Sequence, residues 1–576
     1  MKLFILAVTI FLAACSEPKR DNNGLLSDAE SQIIKNYIIT QNSKKLPVNI
    51  QSQFGTNLKG LKLVGVSLDN EDLTGVDLSF CELSRVDFSG SIIKDAILTN
   101  SIIQESDFTK AEFSNVIAYS SDFQASIFDS AKMQNINFVL SNFEEASFYS
   151  TIIDKINWEN SKFVRAIFDN STISDTNFQK CNFTSGSFKS TKILNSIFYG
   201  ADLQYILTDD AIFKNSYFES VNLSNTTLNR LQIINSNFTQ GIVNQANFKN
   251  VNFDTVDFSS TSFQSSTFTN SNINNCNFQN SNFNQGALNQ VKFQNSLFNN
   301  GVFTEVTLKD ITLKNSKLTS TKFSNIIGNN ITLDSSNLTN AQFNNSQIKQ
   351  FSIFNSDLTG AELINLSIVN SRFDKVNFLK TLIFNSKITN SKITLSNFFQ
   401  AALIDFSLSE VIFDSSSIIN SQVNNVKAVN SNFVNFNFIK NIVLASPDFD
   451  KFKNDSLIFA INDLTTVKNL DNMNFHGLNL TNLIFKGINF SSSIFKNADL
   501  SNSTFLACTM PEADFSMSNL TKANFNKSIL SGGKFEATQV KGTNFNEANL
   551  TNVNFIKAFV KDISLKAAIL DGATGL

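Results

Sequence analysis

The residues of this chain that could do chemistry are few and widely spaced. Of its 576 residues only His476 is a histidine, and no serine, cysteine or carboxylate constellation can be assigned to it. Five cysteines stand at Cys15, Cys81, Cys181, Cys276 and Cys508, with none of the short Cys/His spacings that hold a metal. Sugar cleavage needs two facing carboxylates. The repeat described below brings Asp374 and Asp414 onto one face, roughly 10 Å apart, slightly beyond the usual window for an inverting glycosidase. Lys and Arg number 46 against 49 Asp and Glu, a near-neutral balance that gives no electrostatic footprint for nucleic acid. No metal, cofactor or catalytic residue is therefore expected. Cys15 stands apart, because it closes a segment built for export. Met1-Lys2 is a short positive region and Leu3 to Leu12 an apolar run too short to span a bilayer, as in a cleaved signal peptide.

The elements that must position everything else repeat every five residues. From Leu58 to Val443, each fifth residue is Leu, Ile, Val, Met, Phe or Trp, except at Ala118, Thr208, Gly328 and Ala428. A second run, two places out of phase, goes from Leu470 to Leu570. Two residues before each large apolar position is a small or β-branched one, as at Val86, Ser91, Ala96, Ser101 and Ser106. Residues two apart in an extended segment share a side, so both ranks face one interior. The other three positions, mostly Asp, Asn, Ser, Thr, Gln and Lys, suit solvent and corners. A five-residue period is neither helical nor simple alternation. A short extended side followed by a turn winds into a solenoid, whose coils bury each other's inward residues. The absence of proline between Pro47 and Pro447 agrees, since proline cannot donate to a strand ladder.

Ala498-Asp499-Leu500-Ser501-Asn502, Ala523-Asn524-Phe525-Asn526-Lys527 and Ala548-Asn549-Leu550-Thr551-Asn552 resemble the A(D/N)LXX pattern of the pentapeptide-repeat family. The resemblance covers about residues 55–445 and 470–574. It implies an all-β fold, a right-handed quadrilateral β-helix with four pentapeptides per coil. Twenty residues per turn make the first run about 19–20 coils, on the order of 90–95 Å at the spacing of stacked strands. Asn195, Asn215 and Asn235 would then stack, as would Asn275, Asn295 and Asn315. Asparagine tolerates a left-handed corner, and amide ladders bond between layers. Cys81, Cys181, Cys276 and Cys508 fall on the small inward rank and read as small buried hydrophobes. Cys81 and Cys181 lie five coils apart, roughly 24 Å, beyond any disulfide. Thr208, Gly328 and Ala428 share one phase of the twenty-residue period and could mark bulges on one face.

Leu12-Ala13-Ala14-Cys15 resembles the bacterial lipoprotein lipobox. That resemblance implies cleavage before Cys15 and a diacylglyceryl chain on its sulfur, with Ser16 fitting an outer-membrane destination. The expected organisation is a signal peptide (1–14), a lipidated tether and capping helix (15–54), a first β-helix (55–444), an interrupting loop and short helix (445–469) and a second β-helix (470–576). Ser27-Asp28-Ala29-Glu30 has capping-box form and precedes Ile33, Ile34, Tyr37 and Ile38 at helical spacing, which predicts a helix over the first coil.

One departure from the pattern bears on function. The position after each central residue turns apolar late in the first run. Leu379, Phe399, Ile419 and Ile439 line one outer face, and Ile364, Phe384 and Ile404 the adjacent one. Contiguous apolar area marks a contact surface, unless residues 445–469 fold back over it. The sequence thus reads as a lipid-anchored envelope scaffold or spacer, not an enzyme. It would meet the membrane through its lipid, and an unknown protein or a second copy of itself through its faces, but no nucleic acid. Two alternatives are an envelope polysaccharide-active β-helix enzyme and a DNA-mimicking topoisomerase-binding protein.

Overall fold

The computed structural model describes residues 19–434, 437–439, 442–443, 448–450, 458–460, 470–471, 475–477 and 480–576. Cys15 and the export segment lie outside the described residues. The described residues wind into a parallel β-solenoid of about 21 turns, with two helices among them. By its internal contacts it falls into two compact units, one ending at Ala287 and one beginning at Leu288.

In the first unit the corner is the organising element. Asn70, Arg85, Asp95 and Asn100 adopt φ of 56°, 58°, 51° and 57°, and the left-handed corner recurs every fifth residue. Such a backbone costs most residues with a side chain free energy and Asn or Asp least among them, which accounts for the bias at this position. Arg85, Leu140 and Tyr205 also hold it, so the lattice imposes the corner even on poor formers. Between corners run short strands in parallel register twenty residues apart, Ile93 beside Phe113 and Ile153 beside Ile173. Asp or Asn before the central residue closes the next turn. Asp87 Oδ1 accepts the Ser89 N–H at 2.9 Å and Asn182 Oδ1 the Thr184 N–H at 2.9 Å.

The interior is a set of stacked columns. Phe88, Phe108, Phe128, Phe148, Phe168 and Phe188 lie ring over ring, with centroids 4.8, 4.9, 4.9, 4.6 and 5.0 Å apart. Trp158 continues another column between Phe138 and Phe178, at 5.7 and 5.1 Å. Burying each such ring contributes roughly 1.5–3 kcal/mol, which one coil alone could not collect. The preference for serine on the small rank has a chemical cause. Ser106 donates its hydroxyl to Leu83 O at 2.7 Å and accepts the Val86 N–H at 3.1 Å, so one side chain ties successive coils.

The open edge of the first coil is closed by the predicted helix, α1 (Asp28–Ser43), and a second short one, α2 (Ile50–Phe54). Ser27 caps α1 by accepting from the Glu30 N–H at 3.2 Å. Ile34 and Ile38 are buried, whereas Ile33 of the same spacing is exposed. The backbone groups that an earlier coil would have paired are satisfied from the cap. Leu26 N–H, Lys35 Nζ and Asn42 Nδ2 donate to the carbonyls of Lys59, Val64 and Ser67 at 2.8, 2.9 and 2.8 Å. Glu71, 6% exposed, accepts the Val48 and Asn49 N–H groups at 2.8 and 3.0 Å and pins the α1–α2 connection.

The second unit repeats the lattice, Phe303 beside Phe323 and Phe323 beside Phe343. The bulge expectation fails. Leu308, Gly328 and Ile348 pair in unbroken register, as do Leu408 and Ala428. Ile331 and Ile348 lie where a Gly328 side chain would stand, so neighbouring volume replaces the missing one. In the first unit Thr208 is simply buried in its column. The loop-and-helix reading of 445–469 also fails where that segment is described. Asp448–Asp450 and Ile458–Ala460 are strands, paired with Lys427–Val429 and Asn437–Ile439 at a register of twenty-one. These six residues extend the stack rather than fold back over a side face.

Candidate functional site

Among the described residues, the chemically competent side chains do not converge on one centre. Cys81 and Cys181 are buried and donate to Leu58 O and Trp158 O at 3.3 and 2.8 Å. Burial pushes the Cys81 and Cys276 thiols up to about 12 and Cys508 to about 11, and raises Cys181 as well. A thiol held neutral is a poor nucleophile and a poor metal ligand. The four act as the small hydrophobes that the sequence predicts. His476 stands with its Nε2 3.5 Å from Asn497 Nδ2. Asp374 and Asp414 do share a face, but Thr394 sits between them in register. Its hydroxyl donates to Asp374 Oδ1 at 2.6 Å, Arg372 lies 3.4 Å from Asp374, and Lys392 lies 3.9 Å from Asp414. Each carboxylate has its own partners, and the pair does not converge on a shared substrate position.

The asparagine columns form. Asn215 Nδ2 reaches Asn195 Oδ1 at 3.2 Å, Asn235 Nδ2 reaches Asn215 Oδ1 at 2.9 Å, and Asn315 Nδ2 reaches Asn295 Oδ1 at 3.3 Å. Asn275 Nδ2 in turn donates to Asp254 Oδ1 at 2.9 Å.

The apolar stripes are brought together as columns, but with less exposure than an outward position implies. Ile364, Phe384 and Ile404 pair across successive coils, and Phe399 pairs with Ile419. Phe384 is 38% exposed, while Ile364, Leu379, Phe399, Ile404 and Ile419 are half-buried. The strand holding Ile439 extends the Phe399 column, and its side chain lies outside the described ones. Phe354, which also follows a central residue, lies under the Arg372 guanidinium at 5.5 Å. More exposed apolar area stands in the first unit, at the position before the central residue. Ile97 and Ile117 are neighbours there, as are Ile197 and Tyr217, which are 42% and 57% exposed. The sequence signal for this surface is the isoleucines that interrupt a polar rank, at Ile92, Ile97, Ile102, Ile117 and Ile127.

The repeat lattice matches a known family over much of its length. The Pentapeptide repeat region description fits residues 211–280 and 266–343. The Pentapeptide repeats (8 copies) description fits residues 54–90, 81–117, 469–505, 498–536 and 534–572. The chain belongs to the pentapeptide-repeat family. No curated protein matches it in sequence. Among solved structures, this pentapeptide-repeat protein is similar to one from the Arabidopsis thaliana thylakoid lumen, with 27% identity over 17% of this chain and 66% of that one and a TM-score of 0.13. It is also similar to HetL, a pentapeptide repeat protein involved in heterocyst differentiation regulation in the cyanobacterium Nostoc, with 17% identity over 41% and 86% and a TM-score of 0.17. A third similarity is to QnrB1, a plasmid-mediated fluoroquinolone resistance protein, with 14% identity over 37% and 89% and a TM-score of 0.17.

Proposed function

We propose that this pentapeptide-repeat protein is a lipid-anchored scaffold of the cell envelope. Residues 1–14 direct export, and cleavage before Cys15 leaves a cysteine that carries the lipid and holds the protein at the outer membrane. The solenoid then acts through its faces, gripping a protein partner and not turning over a substrate. The observation that carries this reading is the set of apolar side chains standing outward in register on rigid strands. Phe384 lies between Ile364 and Ile404, Ile97 beside Ile117, and Ile197 beside Tyr217. Strand-borne positions hold such groups at fixed spacing, which favours recognition of a preformed surface.

Two experiments test the reading separately. Replacing Cys15 with Ser abolishes palmitate labelling and leaves unprocessed precursor; normal maturation of that variant removes the lipid anchor from the proposal. Cross-linking in the native envelope then reports the partner. A Phe384→Asp, Ile117→Asp variant loses the cross-linked product, and an unchanged pattern removes these surfaces from any scaffold role.

A further inference from the structure

In the first unit the amide ladder through Asn195, Asn215 and Asn235 ends at Thr255. The threonine side chain is too short to continue it, and its hydroxyl turns to Asp254 Oδ1 at 3.3 Å. A notch of about 290 Å³ opens at this corner. One wall is the corner column Asn215, Asn235 and Thr255. The other is Tyr217, Asn237 and Asp257, which stand in register on three successive coils of the adjacent face.

The polar atoms of the notch are only partly used. Asn235 Nδ2 donates to Asn215 Oδ1 at 2.9 Å, and its own Oδ1 accepts from no described residue. Asn237 Oδ1 accepts the Thr239 N–H at 2.7 Å, while its Nδ2 has no partner among the described residues. Asp257 Oδ1 takes the Ser259 N–H at 2.9 Å and Asn277 Nδ2 at 3.0 Å, leaving Oδ2 open. The Tyr217 hydroxyl is likewise unpartnered, and the residue is 57% exposed. An amide donor and a carboxylate acceptor therefore stand one coil apart, about 4.8 Å, beside an aromatic ring. Sugar hydroxyls both donate and accept, so a neighbouring pair can satisfy this donor and acceptor together. A tyrosine ring offers a rigid apolar face with a polar tip, suited to the C–H face of a pyranose. No cationic side chain lines the notch and one carboxylate does, which disfavours phosphate, uronate and nucleic acid. A single carboxylate also gives no acid–base pair, so the chemistry is binding and not cleavage.

We infer that this notch binds an extended neutral glycan, with one pyranose stacked on Tyr217 and the next held by Asn237 and Asp257. The two coil steps from Tyr217 to Asp257 span about 10 Å, room for two sugar units of a chain that continues beyond the site. The inference is independent of lipid anchoring.

The test is titration of the full chain with chitohexaose and cellohexaose as neutral probes and an oligogalacturonate of the same length as the acidic one. Binding is read by calorimetry and by saturation-transfer NMR. The expected result is binding of at least one neutral probe and none of the acidic one. Tyr217→Ala weakens that binding about tenfold or more, the scale of one lost aromatic contact. Tyr217→Phe retains it, and Tyr119→Ala, at an exposed tyrosine elsewhere on the unit, leaves it unchanged. The inference is overturned if neither neutral probe binds, if the acidic probe binds equally, or if Tyr217→Ala binds as the parent does. Equal losses in Tyr217→Phe and Tyr217→Ala would also overturn it, because stacking would then play no part.

Discussion

Two regions of the molecule carry apolar residues on outward positions, and the lattice treats them differently. Around residues 92–242 the isoleucines stand before the central residue, and Ile117, Ile152 and Ile197 are 44%, 53% and 42% exposed. Around residues 364–419 the apolar residues stand after the central one and are mostly half-buried. The position before the centre lies mid-face, flanked in its own strand by two inward residues, so its side chain projects straight out. The position after it opens the turn, where the bending chain shields one flank. Apolar residues there cover each other from coil to coil. The first region is thus the stickier surface, and the second is in large part a seam that stabilises its own coils.

The largest effect that would test this contrast comes from charging both regions alike. The double change Phe399→Asp, Ile419→Asp removes a half-buried cross-coil pair and costs about 2–4 kcal/mol, read as a lower denaturant midpoint. The matching change Ile97→Asp, Ile117→Asp in the mid-face position stays within about 0.5 kcal/mol per site. Equal costs in the two regions would erase the distinction. A smaller effect sharpens it. Binding of a hydrophobic dye to the intact protein falls in the Ile97, Ile117 variant, whose parent side chains are open to solvent. In the Phe399, Ile419 variant dye binding holds steady or rises as the seam loosens. A fall confined to that second variant would reverse the assignment of which surface is sticky.

Much of this arrangement was legible in the period. Central residues, the small inward rank, buried cysteines and left-handed asparagine corners follow from spacing and residue type. The capping helix followed from Ser27 to Glu30 and the burial of Ile34 and Ile38. Other features depend on what lies twenty residues away in three dimensions. A period of five locates Phe399 outside the core but does not say that Ile419 shields it. The phase change of two between the runs was visible. The strand at Asp448–Asp450, which takes one of those steps, was not, because its single large apolar residue falls on neither run. Glu71 looked like any polar residue until the cap delivered two N–H groups to it. The Thr255 notch was readable only as a missing asparagine in a column, a signal that means nothing until the column is known to bond.

A small effect is also expected on the inward rank, and it separates orientation from energetic cost. Ser106 faces the interior, so Ser106→Ala removes a buried hydroxyl that bonds Leu83 O and the Val86 N–H. Leaving both backbone groups unpaired would cost about 1–3 kcal/mol each. The lattice already contains the remedy. One pentapeptide along, Ala111 offers no hydroxyl to the earlier coil, and the Ser91 N–H there turns to Phe88 O at 3.1 Å. The two groups freed by Ser106→Ala stand in the same relation, since Leu83 precedes Val86 as Phe88 precedes Ser91. They can therefore satisfy each other with little movement of the backbone. The variant is expected to lose less than about 1 kcal/mol, less than the half-buried outward pair. A midpoint shift as large as that of the Phe399, Ile419 variant would mean that the turn cannot close. Serine at this position would then be a requirement of the fold and not one of two interchangeable solutions.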